Sequence, residues 1–144
     1  MIDILIIHLG GEEIIRNCIN SIKDSSDDFN VYVLLNDCKD QSGRLIKKEY
    51  PKSIIIKTER RVGFAEGCNI LVSKARSKYV VLLNNDTEVS KGWLNEMLKT
   101  IKRHKNCIAC QPKIKDYCKR EYFEYAGAAG GMMDFLGYPF CRGR

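Results

Sequence analysis

The chain has 144 residues, 44% of them hydrophobic and 29% charged, which suits one soluble globular domain with a single real core. Lys and Arg number 24 against 18 Asp and Glu, a net charge of +6, and no stretch supplies the roughly 20 uninterrupted apolar residues of a membrane-spanning helix. Seven cysteines, an odd number, exclude a fully paired intramolecular disulfide framework and point to reduced thiols in the cytoplasm.

Met1 to Leu9 is apolar, but it lacks a basic leading region, carries Asp3 and runs into a polar helical pattern, so Asp3–Leu9 reads as a strand rather than a signal peptide. Glu12–Lys23 follows as a helix with Ile14, Ile15, Cys18, Ile19 and Ile22 on one face. Val31–Leu35 is a second strand. Asn36 to Gly43 supplies turn and capping residues before a short helix at Arg44–Glu49, which Pro51 ends. Ser53–Lys57 gives a third strand and Phe64–Ser77 a further helix. Tyr79-Val80-Val81-Leu82-Leu83-Asn84-Asn85-Asp86-Thr87 is then an apolar run, the pattern of a fully buried parallel strand, that stops at a polar cluster. Ser90 is a helix N-cap, Trp93, Leu94, Met97, Leu98 and Ile101 share a helical face, and Asn106–Cys110 reads as a fifth strand.

This alternation predicts right-handed crossovers and an α/β fold, a mainly parallel, Rossmann-like sheet with helices on both faces. Residues 1–112 form the α/β core. Residues 113–144 form a Gly- and aromatic-rich segment, including the run from Tyr125 to Gly131, that continues the same domain toward an acceptor side or hangs as a mobile tail. If strands one to three build outward and the fourth returns to the other side of the first, a switch point opens between strands one and four. His8 to Gly11, Asn84 to Glu88 and Asn36 to Asp40 then converge on one crevice, where ligands of such sheets bind. Asp86 is placed there to hold a metal, the alternative being a simple Asx turn.

Lys99, Lys102, Arg103, Lys105, Lys113, Lys115, Lys119 and Arg120 make a basic cluster suited to phosphates or anionic headgroups, or to a solvated helix face. No aromatic residues interleave with its early part as a nucleic-acid platform requires, so no nucleic-acid partner is expected. Cys107 and Cys110, with Cys118 and His104 nearby, suggest zinc. Strand positions three apart point to opposite faces, however, and buried apolar thiols are the competing reading.

Gly63-Phe64-Ala65-Glu66-Gly67-Cys68-Asn69, Leu82 to Val89 and Gly92-Trp93-Leu94 together resemble the family-two glycosyltransferases of the GT-A fold, in their rhamnosyltransferase-like branch. Gly127 to Gly131 and Gly137 to Arg144 resemble the segment after that family's metal motif. The resemblance implies a glycosyltransferase that takes a nucleotide-diphosphate sugar, with inversion and with Mg or Mn as cofactor, and gives the sugar to a glycan or lipid-linked acceptor hydroxyl. Peripheral membrane association at the inner face is the expectation carried by the basic cluster, which would hold the chain near a lipid-linked acceptor.

Asp86 matches the last acidic position of the DxD-type motif, and Asn84 stands where many relatives carry the first Asp. Asp86 is the donor and metal position that the resemblance implies, and His8, Asn36, Asp37, Arg61, Asn85, Gly130 and Gly131 are further donor-binding candidates, with a strand-end residue satisfied by backbone the alternative for His8 and surface solvation the alternative for Arg61. Leu35 occupies a position where relatives carry an Asp that holds the base, and Arg61 one where an Asn precedes Gly-Phe. The general base of an inverting member would follow Arg144, so Asp134 and Glu124 match no motif and no catalytic base is assigned. A noncatalytic nucleotide-sugar-binding module, or a truncated and inactive fragment, is the alternative. A nucleotidyltransferase would need a Gly-rich, Lys-containing phosphate loop that Gly10-Gly11 does not supply.

Overall fold

A computed structural model of the protein describes residues 1–23, 28–124 and 130–141. They fall into two compact units, Met1–Gly92 and Trp93–Arg144. The first comprises β1 (Ile2–His8), α1 (Glu12–Lys23), β2 (Phe29–Asn36), α2 (Ser42–Glu49), β3 (Ile54–Thr58), α3 (Phe64–Lys74) and β4 (Tyr79–Asn84). Its four strands pair in parallel in the order β3-β2-β1-β4. The chain therefore winds outward from β1 and returns to its other side, which creates the expected switch point between β1 and β4.

The central strands are apolar between their polar end residues because both faces are covered. On one face Leu5, Tyr32 and Leu34 pack with Val62 and with Leu71 of α3, flanked by Ile7, Ile56 and Ile70. Gly67 lets α3 sit this low, since a Cβ there would stand 2.9 Å from Ile7 Cδ1 and 3.2 Å from Leu34 Cδ2. Strand alternation sends Ile4, Ile6, Val31, Val33 and Leu35 to the opposite face. There α2 approaches so closely that a Cβ on Gly43 would lie 2.8 Å from Leu35 Cδ1, and α1 packs beside α2. The result is the α/β architecture with helices on both faces.

Several expectations need correction. In α1 the buried stripe is Ile15, Cys18, Ile19 and Ile22, while Ile14 is 47% exposed, because it falls outside the i, i+3, i+4, i+7 series that faces the core. The Tyr79–Asn84 strand is not buried on both sides. It forms the sheet edge, and Val80 and Leu82 are 43% and 53% exposed, because α3 lies over β1 and β2 and leaves this face of β4 open.

The third helix ends at Lys74 rather than running to Ser77, and the reason is Asp3. This fully buried carboxylate accepts the backbone N–H groups of Arg76 (2.6 Å) and Ser77 (2.9 Å), the Ser77 hydroxyl (2.7 Å) and the Asn30 amide (2.8 Å). Amides drawn to a side chain cannot continue a helix.

The second unit contains α4 (Trp93–Arg103) and a hairpin of β5 (Gly131–Met133) and β6 (Pro139–Cys141). The helix starts after Gly92, whose φ is +77°, so Ser90 lies outside it and does not cap it. No strand forms at 106–110. Instead Cys107 N–H donates to His104 O at 2.9 Å and turns the chain, and Ile108, the one large apolar side chain of the segment, is 99% exposed and has no second apolar partner in the pattern to bury with. The strand argument against zinc at Cys107 and Cys110 loses its premise with this turn. Asp134 closes the hairpin by accepting the N–H groups of Leu136 (2.9 Å) and Tyr138 (3.0 Å). Tyr125 to Ala129, and 142–144, lie outside the described residues. No helix among the described residues is long and apolar enough to cross a membrane.

Burial alone would raise the pKa of Asp3, but the hydrogen bonds from Asn30, Ser77 and Arg76 outweigh it and hold the carboxyl below its usual value of 3.8. The stabilisation is fully present above that value and is lost as pH falls through the lower folded-state pKa. Replacing Asp3 by Ala orphans two backbone donors and should cost about 2–4 kcal/mol in urea unfolding at neutral pH, a loss that narrows in strong acid.

Candidate functional site

The last residue of β1 organises the crevice. His8 is fully buried and pairs in register with Leu35, so its ring projects to the α2 side of the sheet. One ring nitrogen, Nε2, lies 2.8 Å from Ser42 Oγ at the start of α2. The other, Nδ1, lies 2.9 Å from Nδ2 of Asn85, just past β4. With the Asn85 amide donating to Nδ1, the ring carries its proton on Nε2 and gives it to Ser42, a neutral tautomer with both nitrogens satisfied. Burial keeps its pKa below the usual 6.5, and the nearby Asp40 carboxylate pulls the other way without prevailing.

Asp40 locks the neighbouring loops together. Its Oδ2 accepts Gly11 N–H at 2.8 Å, and its Oδ1 accepts Ser42 N–H at 3.0 Å and the Cys38 thiol at 2.8 Å. Burial would raise this carboxyl's pKa, but the bonds from Cys38, Ser42 and Gly11 hold it well below the ordinary carboxylate range. Gly10 and Gly11 have φ of +135° and +97°, conformations that L side chains rarely adopt, so the turn after β1 depends on glycine.

Asn36 is buried at the end of β2, and both sides of its amide engage Val62: Nδ2 donates to Val62 O at 2.9 Å and Oδ1 accepts Val62 N–H at 2.8 Å. It clamps the loop that leads into α3. Asp37 adopts φ of 52°, accepts Lys39 at 2.5 Å through its carboxylate, and donates its N–H to Thr58 Oγ1 at 3.2 Å. It lines a cleft of about 560 Å³ together with Leu35, Arg44, Lys57 and Thr58. Arg61 is exposed beside Arg60, which pairs with Glu66.

Asp86 is exposed two residues beyond β4, with no cation paired to it among the described residues. The thiol of Cys18 is pushed up to about 12, chiefly by burial and secondarily by the Asp86 charge, which puts this carboxylate close to α1. Gly130, with φ of +108°, and Gly131, which opens β5, belong to the second unit.

The ends of β1, β2 and β4 thus carry His8, Asn36 to Asp40, and Asn85 to Asp86, as the strand order requires. Ser42 and Cys38 are the partners that sequence reasoning passed over. Among the described residues, the His, Cys, Asp or Glu group whose ligand atoms lie within 4.8 Å of one another is His8, Cys38 and Asp40, and Asp86 is not in it.

A family model described as glycosyl transferase family 2 matches residues 3–138. The chain belongs to that family. A teichoic acid poly(glycerol phosphate) polymerase from Staphylococcus epidermidis is 30% identical over 92 residues, which are 60% of this chain and 13% of the polymerase. The crystal structure of S. aureus TarS 1–349 with UDP-GlcNAc superimposes with a TM-score of 0.67 at 17% identity, over 80% of this chain and 38% of that one. The mannosyltransferase PcManGT from Pyrobaculum calidifontis, in complex with GDP-Man and Mn2+, gives 0.65 at 14% identity, over 79% of this chain and 33% of that one. These likenesses show a GT-A-like fold, and the family-two chain described here spans well under half of each of these proteins.

Two outcomes follow from the site geometry. The unfolded chain takes up a proton near pH 6.5 that folded His8 refuses, so stability should fall as pH drops through 6.5 toward the lower folded-state pKa, and His8→Gln should flatten that slope in urea titrations across pH. Asn36→Ala leaves the backbone N–H and C=O of Val62 without partners, and should cost about 2 kcal/mol and speed hydrogen exchange at Val62.

Proposed function

We propose that the chain is the donor-binding core of a glycosyltransferase that moves a sugar from a nucleoside diphosphate to an acceptor hydroxyl, with inversion at the anomeric carbon. The observation that carries this reading is the convergence of three strand ends at the β1/β4 switch point around the neutral ring of His8. Ligands of open parallel sheets bind at that place. Neighbours of the same fold in complex with UDP-GlcNAc, UDP or GDP-Man support a nucleotide sugar as the ligand class.

Asp86 fits a divalent cation of the Mg or Mn class. It is an exposed carboxylate without a competing cation among the described residues, and such ions take carboxylate, phosphate and water oxygens. When bound, the ion would neutralise charge gathering on the departing diphosphate. The chain's own groups have separate tasks. Asn85 is oriented by His8 and fixes the approach to Asp86. Arg61 offers a guanidinium without an ion-pair partner among the described residues to phosphate oxygens. Asp37, beside the cleft floored by Leu35, is the carboxylate of the β2 loop left to meet a base, because Leu35 accepts no hydrogen bond. Asn36 serves by holding the Val62 loop. A glycan or lipid-linked acceptor would suit the basic residues between Lys99 and Arg120, with the chain working peripherally at the inner membrane face. A noncatalytic nucleotide-sugar-binding module is the second reading, favoured by Glu124 and Asp134 matching no general-base motif.

Calorimetric titration of UDP, dTDP and GDP, each with and without Mn2+, tests the donor site. One nucleotide should bind more tightly with the ion, and Asp86→Ala should remove about tenfold or more of that gain while sparing metal-free binding. Equal metal dependence in the variant would remove Asp86 from the ion's shell.

A further inference from the structure

Beside the family's acidic position the structure holds a second, chemically different group of ligands. We infer that His8, Cys38 and Asp40 form a site for a thiophilic divalent cation of the zinc class. Their ligand atoms lie within 4.8 Å of one another, and they come from the end of β1 and from the loop between β2 and α2. An imidazole nitrogen, a thiolate sulfur and a carboxylate oxygen, completed by one water, make the tetrahedral shell that zinc favours. Magnesium and manganese prefer all-oxygen surroundings, which Asp86 offers and this group does not.

The three ligands are already oriented by outer partners. Gly11 N–H and Ser42 N–H hold the two oxygens of Asp40, and Asn85 and Ser42 hold the ring of His8. Such outer hydrogen bonds fix metal ligands in place and sustain affinity. The Cys38 thiol points at Asp40 Oδ1 at 2.8 Å, so a proton now sits where a cation would bridge sulfur and oxygen. On binding, Cys38 gives that proton to solvent and the sulfur–metal bond forms; His8 meets the ion with the lone pair of one ring nitrogen, and the ring proton stands on the other, accepted there by Ser42 or by the oxygen of the turned Asn85 amide. No electron changes hands. Ligand bonds of about 2.0–2.3 Å require the group to contract by on the order of 1 Å. Cys38 is half-buried and Asp40 exposed, both on a loop rather than in the sheet, so the contraction falls on loop side chains and leaves the strand pairing in place.

The inference is independent of the donor-site reading and is tested without nucleotide. The reduced full chain is titrated with Co2+ and followed by thiolate-to-metal charge-transfer absorption and the visible bands of tetrahedral cobalt. One ion per chain should bind with a single-thiolate spectrum, be displaced by Zn2+ and persist in excess Mg2+. Cys38→Ser, near-isosteric and checked for native circular dichroism, should abolish the charge-transfer band. The paired variant Cys107→Ser/Cys110→Ser, which removes neighbouring thiols of the second unit, should keep it. A band that survives Cys38→Ser, or that disappears with the Cys107/Cys110 pair, overturns the site. As a readout that needs no variant, the ring resonances of His8 should shift on zinc addition to the wild-type chain, and unmoved resonances would also overturn it.

Discussion

Much of the first unit's geometry hangs on one uncharged imidazole. His8 stands where β1 stops, and it joins that strand to α2 through Ser42 and to the β4 loop through Asn85. A protonated ring would have to shed the Asn85 amide, because two donors cannot face each other, so burial of the ring and the Asn85 bond reinforce the same tautomer. The backbone atoms of three separate segments are thereby held at the mouth of the sheet without any charge being placed in the interior.

Two further polar side chains do similar work elsewhere. Asp3 ties the α3–β4 connection to the beginning of β1, and Asn36 ties the loop before α3 to the end of β2. Both ends of the α3 crossover are therefore gripped by buried polar groups, and the apolar cluster of Leu5, Leu34, Val62 and Leu71 fills the space between them. Hydrophobic burial supplies the bulk of the driving force, while the directional bonds decide where each connection enters and leaves. A crevice assembled this way has its floor fixed by buried polar bonds, with the loop from Asp37 to Gln41 and the Asp86 turn at its rim.

The order of strands and helices was legible because apolar runs of five to eight residues alternated with helical periods, and the switch point followed from that order alone. What the pattern could not carry was information about neighbours. The run at Tyr79 looked like a strand covered on both faces, yet it borders the sheet, since an apolar run records composition and not position. Ile14 and the end of α3 were misjudged for related reasons: one depended on the rotation of a helix against its sheet, the other on a carboxylate more than seventy residues upstream in sequence. The segment around Ile108 had one β-branched residue and, among the described residues, no partner strand. In the crevice, His8, Asn85 and the β2 loop were foreseen as groups, whereas the task of Asn36 as a clamp, and the importance of Ser42, depended on side-chain directions that no spacing rule encodes.

Cys18 has a consequence of a different kind. Its sulfur is buried under the end of β4, touches the Asn84 carbonyl at 3.7 Å, and has its pKa pushed up to about 12, while the other six thiols are all at least partly accessible. A thiol so rarely ionised is nearly inert toward alkylating reagents as long as α1 stays packed on the sheet. The chain thus carries an internal recorder of its own opening: mass added at Cys18 after brief exposure to such a reagent counts the molecules in which that helix has left its seat.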